Sequence, residues 1–204
     1  FVHPTGTFGA QLGIHSDAMI PGLARLATVI KAQGALASIQ LHHAGRQTSS
    51  RVTGYELIAP SAIACPIKQE IPRPLSLVDI EEVLAWYTEG ARRAMEAGFD
   101  GVEIHGAHGY LPAQFLSPRA NHRDDHYGGS LENRTRFIRN VLSRAREVVG
   151  SSAPLTVKIS GDEYAQGGLT LAETPEIVRY LGQAGADLVT LSAGAAPYHH
   201  TVPG

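Results

Sequence analysis

Segments with the hydrophobic pattern of a strand alternate along the chain with segments that have the hydrophobic pattern of a helix. Short apolar runs rich in β-branched residues, at 36–41, 99–104, 155–159 and 187–191, are typical of buried strands. Longer segments between them, where apolar residues recur at helical spacing, predict helices over 18–33, 76–98, 130–150 and 170–184. We interpret Phe1-Val2 as the tail of an earlier strand.

Serine residues mark where three of these helices begin. Ser76 and Ser130 stand at predicted N-terminal ends, where a serine hydroxyl accepts a hydrogen bond from a free backbone N–H. Acidic residues follow Ser76 in the first turns, where the helix dipole favours negative charge. Ser16-Asp17 caps the first helix, whose predicted buried face consists of Leu23, Leu26, Val29 and Ile30.

The alternation of strands and helices predicts an α/β fold with parallel strands and helical crossovers. Connections that follow strands hold the unusual residues, whereas those that follow helices are short, as at Gly34 and Gly185. This asymmetry is typical of a β/α (TIM-type) barrel, whose active site lies at the C-terminal ends of the strands. A doubly wound open sheet is the alternative, and the lack of a Gly-x-Gly-x-x-Gly turn between strand and helix disfavours it.

Two of the connections after strands are long. Residues 42–75 include Pro60, Pro66, Pro72 and Pro74, and residues 106–129 are rich in Gly, Asn, Asp and His. We expect both connections to lack regular structure. Loops of this length in a globular domain usually bind ligands or carry function.

Composition narrows the class of protein. With 204 residues, 43% of them apolar, we expect one domain over residues 1–204. A formal net charge of −2 gives no electrostatic reason to expect nucleic acid or an anionic membrane as a partner. No apolar run reaches the roughly 18 residues of a membrane span. The single cysteine, Cys65, excludes an internal disulfide and fits a reducing, cytoplasmic compartment.

The segment 101–110 leads from a predicted strand into three polar side chains. Gly106 and Gly109 allow tight turns that would present His105, His108 and Tyr110 to one space. An imidazole donates hydrogen bonds near neutral pH, and a phenol is a weak acid that can release a proton. Together they suit polarising a carbonyl group and protonating a neighbouring carbon.

Two other interpretations of these residues stay open. A histidine or tyrosine after a strand is more often structural than catalytic. A metal site is the second alternative, although no cluster of Cys and His has structural-zinc spacing. That site would combine the His-x-x-His pair His105 and His108 with His42, His43, His199 or His200.

Three motifs in a fixed order carry a resemblance to a known family. They are Gln-Leu-His-His-Ala-Gly-Arg at 40–46, the run at 98–118 and the Asn-x-Arg-x-Asp-x-Tyr-Gly-Gly-Ser-Leu-Glu-Asn-Arg run at 121–134. The chain resembles the old yellow enzyme family of FMN oxidoreductases, within the NADH:flavin oxidoreductase and 2,4-dienoyl-CoA reductase branch. The resemblance implies a β/α barrel that holds FMN at the C-terminal ends of its strands, with this chain matching roughly strands two to six.

The resemblance also implies roles for single residues. Gln40 matches the glutamine that binds the flavin pyrimidine edge, and His105 and His108 match the pair that holds the substrate oxygen. Tyr110 matches the proton donor. Lys158 stands where many members have Arg, so it would supply positive charge without the planar two-pronged donor. The implied activity is an ene-reductase that uses NADH or NADPH to reduce an α,β-unsaturated carbonyl or enoyl substrate.

The match to strands two to six implies that the first strand and the last two are missing from this chain. We therefore expect residues 1–204 alone to hold FMN weakly and to be either marginally folded or self-associating as a homo-oligomer. A noncatalytic barrel fragment that needs a partner, and a metal-dependent β/α-barrel hydrolase, are the alternative functions. We interpret Arg123, Asp125, Glu132 and Arg134 as a structural charge network.

Overall fold

The computed structural model describes residues 1–194, and a parallel β-sheet lies at the centre of this region. The described region contains the strands β1 (Ser38–Leu41), β2 (Ile58–Ala59), β3 (Arg73–Pro74), β4 (Gly101–Gly106), β5 (Leu155–Asp162) and β6 (Leu188–Ala193). Its α-helices are α1 (Ile20–Lys31), α2 (Ser50–Thr53), α3 (Leu77–Glu96), α4 (Leu111–Leu116), α5 (Leu131–Val149) and α6 (Thr174–Gln183). None of these helices has the length and apolar composition that crossing a membrane requires.

Strand order identifies the type of sheet. Four strands form the main sheet in the order β1-β4-β5-β6, every neighbouring pair is parallel, and β2 pairs only with β3. The order therefore follows the chain without reversing, whereas a doubly wound sheet reverses at its switch point. The predicted α/β fold is confirmed as an arc of a β/α barrel, and the open-sheet alternative is wrong.

The two faces of the main sheet differ in chemistry because side chains alternate along each strand. Val102, Ile104, Val157 and Ile159 are fully buried in the core formed with the helices. The intervening positions face the inside of the arc and are mostly polar. They include Gln40, Glu103, His105, Thr156 and Lys158.

Helix α1 is shorter than predicted and buries a different face. It begins at Ile20, after a 3-10 turn at Asp17–Met19 that Ser16 caps. Leu23 and Ala27 are buried, whereas Leu26 and Val29 are exposed. The buried face of α1 therefore runs through Leu23 and Ala27. The predicted buried face lay to one side of it, because the prediction did not include the small residue Ala27.

Both long connections contain regular structure, contrary to the prediction. Within 42–75, helix α2 and the β2–β3 pair form, and backbone hydrogen bonds join Arg73 to Leu57 and Leu75 to Ala59. Within 106–129, all six residues of α4 are buried. Phe1-Val2 is not a strand, although the Val2 N–H donates to the His42 carbonyl 3.0 Å away. Tertiary contacts stabilise these pieces, whose short patterns carry little signal by themselves.

The predicted charge network consists of two separate ion pairs. Arg123 pairs with Asp125 and donates to the carbonyls of Pro60 and Leu75. Arg134 is buried, pairs with Glu173 at the start of α6, and donates to the Leu116 carbonyl. The Glu132 carboxylate pairs with no other residue in the range 1–194, so its inclusion was wrong. These arginines fasten the connection that follows β4.

We expect Ser76→Ala to lower the free energy of unfolding by about 0.5–2 kcal/mol, because it removes a helix cap. The Ser76 hydroxyl accepts from the Asp79 N–H at 3.1 Å, and the Asp79 carboxylate accepts from the Ser76 N–H at 2.7 Å. Urea denaturation measures the loss. Ser143→Ala on an exposed face of α5 is the control, and equal stability of both variants would contradict the capping role.

Candidate active site

The backbone turns sharply where β4 ends. A Cβ on Gly106 would lie 2.5 Å from Ile138 Cδ1 and 3.0 Å from the Lys158 carbonyl oxygen, so a larger residue there would force its neighbours to shift. His108 and Gly109 both have positive φ, 58° and 72°. That conformation is uncommon for a residue with a side chain and marks a position whose surroundings compensate its cost.

The turn brings together the three residues that the sequence nominated. The ring centroids of His105 and His108 are 5.1 Å apart, and those of His105 and Tyr110 are 4.9 Å apart. Both pairs meet edge to face. Two imidazoles and one phenol therefore share one small space at the C-terminal end of β4.

Burial keeps these three groups uncharged at neutral pH. It lowers the pKa of His105 to about 4, with further contributions from His108 and Lys158. Burial also lowers the pKa of His108, and Lys158 adds to that shift. The pKa of Tyr110 is raised by burial. The site thus offers neutral imidazole N–H donors and a phenol that retains its proton.

Three polar side chains support His108, and the sequence had given them no role. The Ser192 hydroxyl lies 2.6 Å from His108 Nε2, and Ser160 Oγ accepts from the His108 N–H at 3.0 Å. Gln47 Nε2 donates to the His108 carbonyl at 2.6 Å. In the sequence, Ser160 and Ser192 directly follow predicted buried strands, and this position was the only indication of a role. Their contact with His108 depends on the packing of β5 and β6 beside β4, which the sequence does not show.

Another buried side chain, Gln114 of α4, links the turn to the connection after β1. Its amide nitrogen donates to the carbonyls of Ala44 and Gly109, at 3.1 and 2.8 Å. Its oxygen accepts from the Arg46 N–H at 3.3 Å. The amide therefore fixes the two connections relative to each other, which the linear sequence could not indicate.

His42 forms one wall of the site. Its ring packs edge to face on Tyr110 at 4.4 Å and lies 5.7 Å from His105. Phe8 covers both His42 and Tyr110 with centroid distances of 5.4 Å. Both ring nitrogens of His42, and Nδ1 of His105, are buried without a hydrogen-bond partner among residues 1–194. Such unsatisfied atoms are costly, so this wall is suited to receive a polar group.

The two residues expected to bind the cofactor lie on the inner face of the same arc. Gln40 is opposite Glu103 in the β1–β4 register, and its amide nitrogen donates to that carboxylate. Lys158 is opposite His105 in the β4–β5 register and forms no ion pair with any residue in the described range. An amide and an unpaired ammonium fit the polar edge of a flavin ring.

The described part of the chain contains no set of ligands for the metal site that the sequence left open as an alternative. No group of three His, Cys, Asp or Glu side chains within residues 1–194 could hold a metal ion. His43 is engaged in structure, since its Nε2 lies 2.9 Å from Thr5 Oγ1 and its Nδ1 accepts from the Gly45 N–H. His199 and His200 lie outside the described residues.

Comparison with known proteins gives a match over nearly the whole chain. The model of the NADH:flavin oxidoreductase / NADH oxidase family matches residues 1–201. A protein named NADPH dehydrogenase from Geobacillus sp. (strain WCH70) is 48% identical over 185 residues, covering 91% of this chain and 53% of that protein. A protein named NADH oxidase from Thermoanaerobacter brockii is 42% identical over 194 residues, covering 94% of this chain and 30% of that protein.

A solved structure agrees with these matches. The old yellow enzyme homologue from Zymomonas mobilis superposes with a TM-score of 0.86 at 31% sequence identity, covering 95% of this chain and 58% of that one. The chain thus spans about a third to a little over half of the proteins it matches. FMN is the cofactor of the family whose model matches. From its sequence and its fold, this chain belongs to the NADH:flavin oxidoreductase / NADH oxidase family.

Proposed function

We propose that the protein is an FMN-dependent ene-reductase that uses NADH or NADPH to reduce the C=C bond of an α,β-unsaturated carbonyl or enoyl compound. The convergence of His105, His108 and Tyr110 at the end of β4 is the observation that carries this proposal. When bound, FMN supplies the hydride that reaches the β-carbon. The protein side chains bind the substrate oxygen and deliver the proton.

His105 and His108 are assigned to the substrate oxygen. Burial lowers the pKa of both, so each is neutral at pH 7 and presents one N–H. Two donors on one carbonyl oxygen withdraw electrons from the conjugated C=C bond and stabilise the negative charge that develops on the oxygen. Ser192 fixes the orientation of the His108 ring, which keeps its other nitrogen available.

Tyr110 is assigned as the proton donor. Burial raises the pKa of its hydroxyl, so the group is protonated at physiological pH and can act as a general acid. Its ring is held between His42 and Phe8, which limits the positions of the hydroxyl. The α-carbon would take this proton as the β-carbon is reduced.

Gln40 and Lys158 are assigned to the cofactor. The Gln40 amide would bind the pyrimidine edge of the flavin, since it can donate and accept. The unpaired Lys158 ammonium would stabilise the negative charge of the reduced flavin. The names of the relatives, NADPH dehydrogenase and NADH oxidase, support a nicotinamide nucleotide as the reductant.

The double variant His105→Ala/His108→Ala tests the oxygen-binding role. We expect phenol-type ligands, whose oxygen would occupy the same position, to bind roughly tenfold or more weakly, since two hydrogen bonds are lost. Titration of the yellow, flavin-loaded protein with a phenol measures this through the charge-transfer absorbance. His122→Ala/His126→Ala, on two exposed histidines, is the control.

The phenol titration, together with the flavin and metal content of the purified protein, separates the alternative functions. Unchanged phenol affinity in the double variant would remove His105 and His108 from the oxygen site. If the protein that contains this chain were purified without bound flavin, that result would support a noncatalytic fragment or subunit. A stoichiometric metal ion in place of flavin would support the hydrolase alternative.

A further inference from the structure

The inner face of the sheet contains a carboxylate that the proposed reaction does not use. Glu103 lies on β4 between the fully buried Val102 and Ile104, so its side chain is directed to the opposite, inner face of the arc. It is partly buried and forms no ion pair with any residue that the structure describes. Its hydrogen-bond donor is the amide nitrogen of Gln40.

The contact follows from strand register. Gln40 and Glu103 are directly opposite on adjacent parallel strands, and the next residue across the sheet is Thr156 on β5. Both side chains border a cavity of about 590 Å³ at the N-terminal ends of β1, β4 and β5, and neither His105 nor Lys158 lines it. Because both Cα positions belong to the sheet, the approach of the two side chains is built into the scaffold.

Chemistry then decides which way the Gln40 amide is turned. An ionised carboxylate can only accept hydrogen bonds, so the NH₂ end of the amide must face Glu103. The Gln40 oxygen is thereby directed away from Glu103, and it has no hydrogen-bond donor among residues 1–194. It is free to accept from a ligand N–H, and the flavin pyrimidine ring has one N–H between its two carbonyl groups.

We propose that Glu103 is a positioning residue that fixes the Gln40 amide so that its oxygen accepts from the flavin pyrimidine N–H. The inference deepens the proposed function and rests on the FMN site assigned to Gln40 and Lys158. The Glu103 carboxylate also places a negative charge on the inner face of the sheet. Lys158 places a positive charge on the same face, two residues further along the strands, where it pairs in register with His105. Glu103 therefore opposes the negative charge that the flavin gains on reduction.

These two effects of Glu103 have separate readouts. The affinity for oxidised FMN, whose ring is uncharged, reports the orientation of the amide. The midpoint potential of the bound flavin reports the charge on the inner face. Glu103→Gln removes the charge and the fixed orientation, whereas Glu103→Asp retains the charge but shortens the reach to Gln40.

The experiment measures both quantities in the protein that contains this chain, with FMN as the probe. We expect Glu103→Gln to weaken binding of oxidised FMN about three- to tenfold, as loss of one well-placed hydrogen bond would. We also expect it to raise the midpoint potential. Glu103→Asp should weaken binding similarly and leave the potential close to that of the parent. Glu147→Gln, the same change at an exposed position of α5, should alter neither quantity.

A double-mutant cycle with Gln40→Ala tests whether Glu103 acts through the amide. We expect Glu103→Gln to cause no further loss of FMN affinity once Gln40 is Ala. Additive losses, or parent-like affinity in both Glu103 variants, would overturn the inference. A fall in the thermal stability of the FMN-free protein in both variants, parallel to the loss of FMN affinity, would assign Glu103 to the scaffold and would overturn it too. Failure of the parent to bind FMN would instead refute the proposed function.

Discussion

In the proposed ene-reductase reaction, Tyr110→Phe is expected to slow alkene reduction by about 10²-fold or more while FMN binding and reduction of the flavin by NADH or NADPH stay intact. The substitution removes the hydroxyl and keeps the ring, so the packing on His42 and Phe8 is retained. The backbone of residue 110 also keeps its place, because the Gln114 N–H bonds to its carbonyl at 2.8 Å. Proton delivery is then the step that changes.

Stopped-flow spectroscopy separates the two half-reactions. The flavin is first reduced with NADH or NADPH, and its reoxidation by an enone is then followed. Tyr55→Phe is the matched control, since Tyr55 is half exposed in the connection after β1 and is not part of the site. Reoxidation of the Tyr110→Phe protein at the parental rate would remove Tyr110 from the role of proton donor.

A steep loss of stability between pH 6.5 and pH 5 is the second large effect that we expect. His42, His43 and His105 are at most 7% exposed. Burial lowers the pKa of His42 to about 3 and that of His105 to about 4, and it holds the pKa of His43 well below its usual range. In the unfolded chain each would titrate near 6.5.

The sign follows from proton binding. Below pH 6.5 the unfolded chain takes up protons that the folded protein excludes, so acidification favours unfolding. Each such histidine lowers the free energy of unfolding by up to about 1.4 kcal/mol per pH unit. Three together approach about 4 kcal/mol per unit, a large part of the roughly 5–15 kcal/mol typical of a domain. The loss continues until the pH reaches the folded-state pKa of each histidine, which is about 4 for His105 and about 3 for His42.

Urea denaturation at intervals from pH 7 to pH 5 measures this slope. His105→Gln should reduce it by about one histidine's contribution, whereas His122→Gln, at an exposed position, should leave it unchanged. Carboxylates such as Asp79, whose pKa is lowered by Arg73, lose their contribution only at more acidic pH. A stability that is flat from pH 7 to pH 5 would show that the buried histidines are protonated in the folded protein.

The sequence by itself determined the α/β class, the order of the main strands and the proximity of His105, His108 and Tyr110. These features depend on local patterns. Buried strands such as β4 and β5 are short β-branched runs, Ser76 and Ser130 are adjacent to the helices they cap, and the nominated residues lie within six positions of each other. Gln40 and Lys158 came from motif resemblance, and their cofactor roles remain proposals.

Tertiary structure alone decided which distant residues meet. Helix α4 and the β2–β3 pair are too short to be recognised from their own patterns, and they form because neighbouring elements bury them. Ser192 reaches His108, and Glu103 reaches Gln40, because parallel register aligns strands separated by whole helices. Register depends on the packing of entire strands and helices, so no local stretch of sequence encodes these contacts.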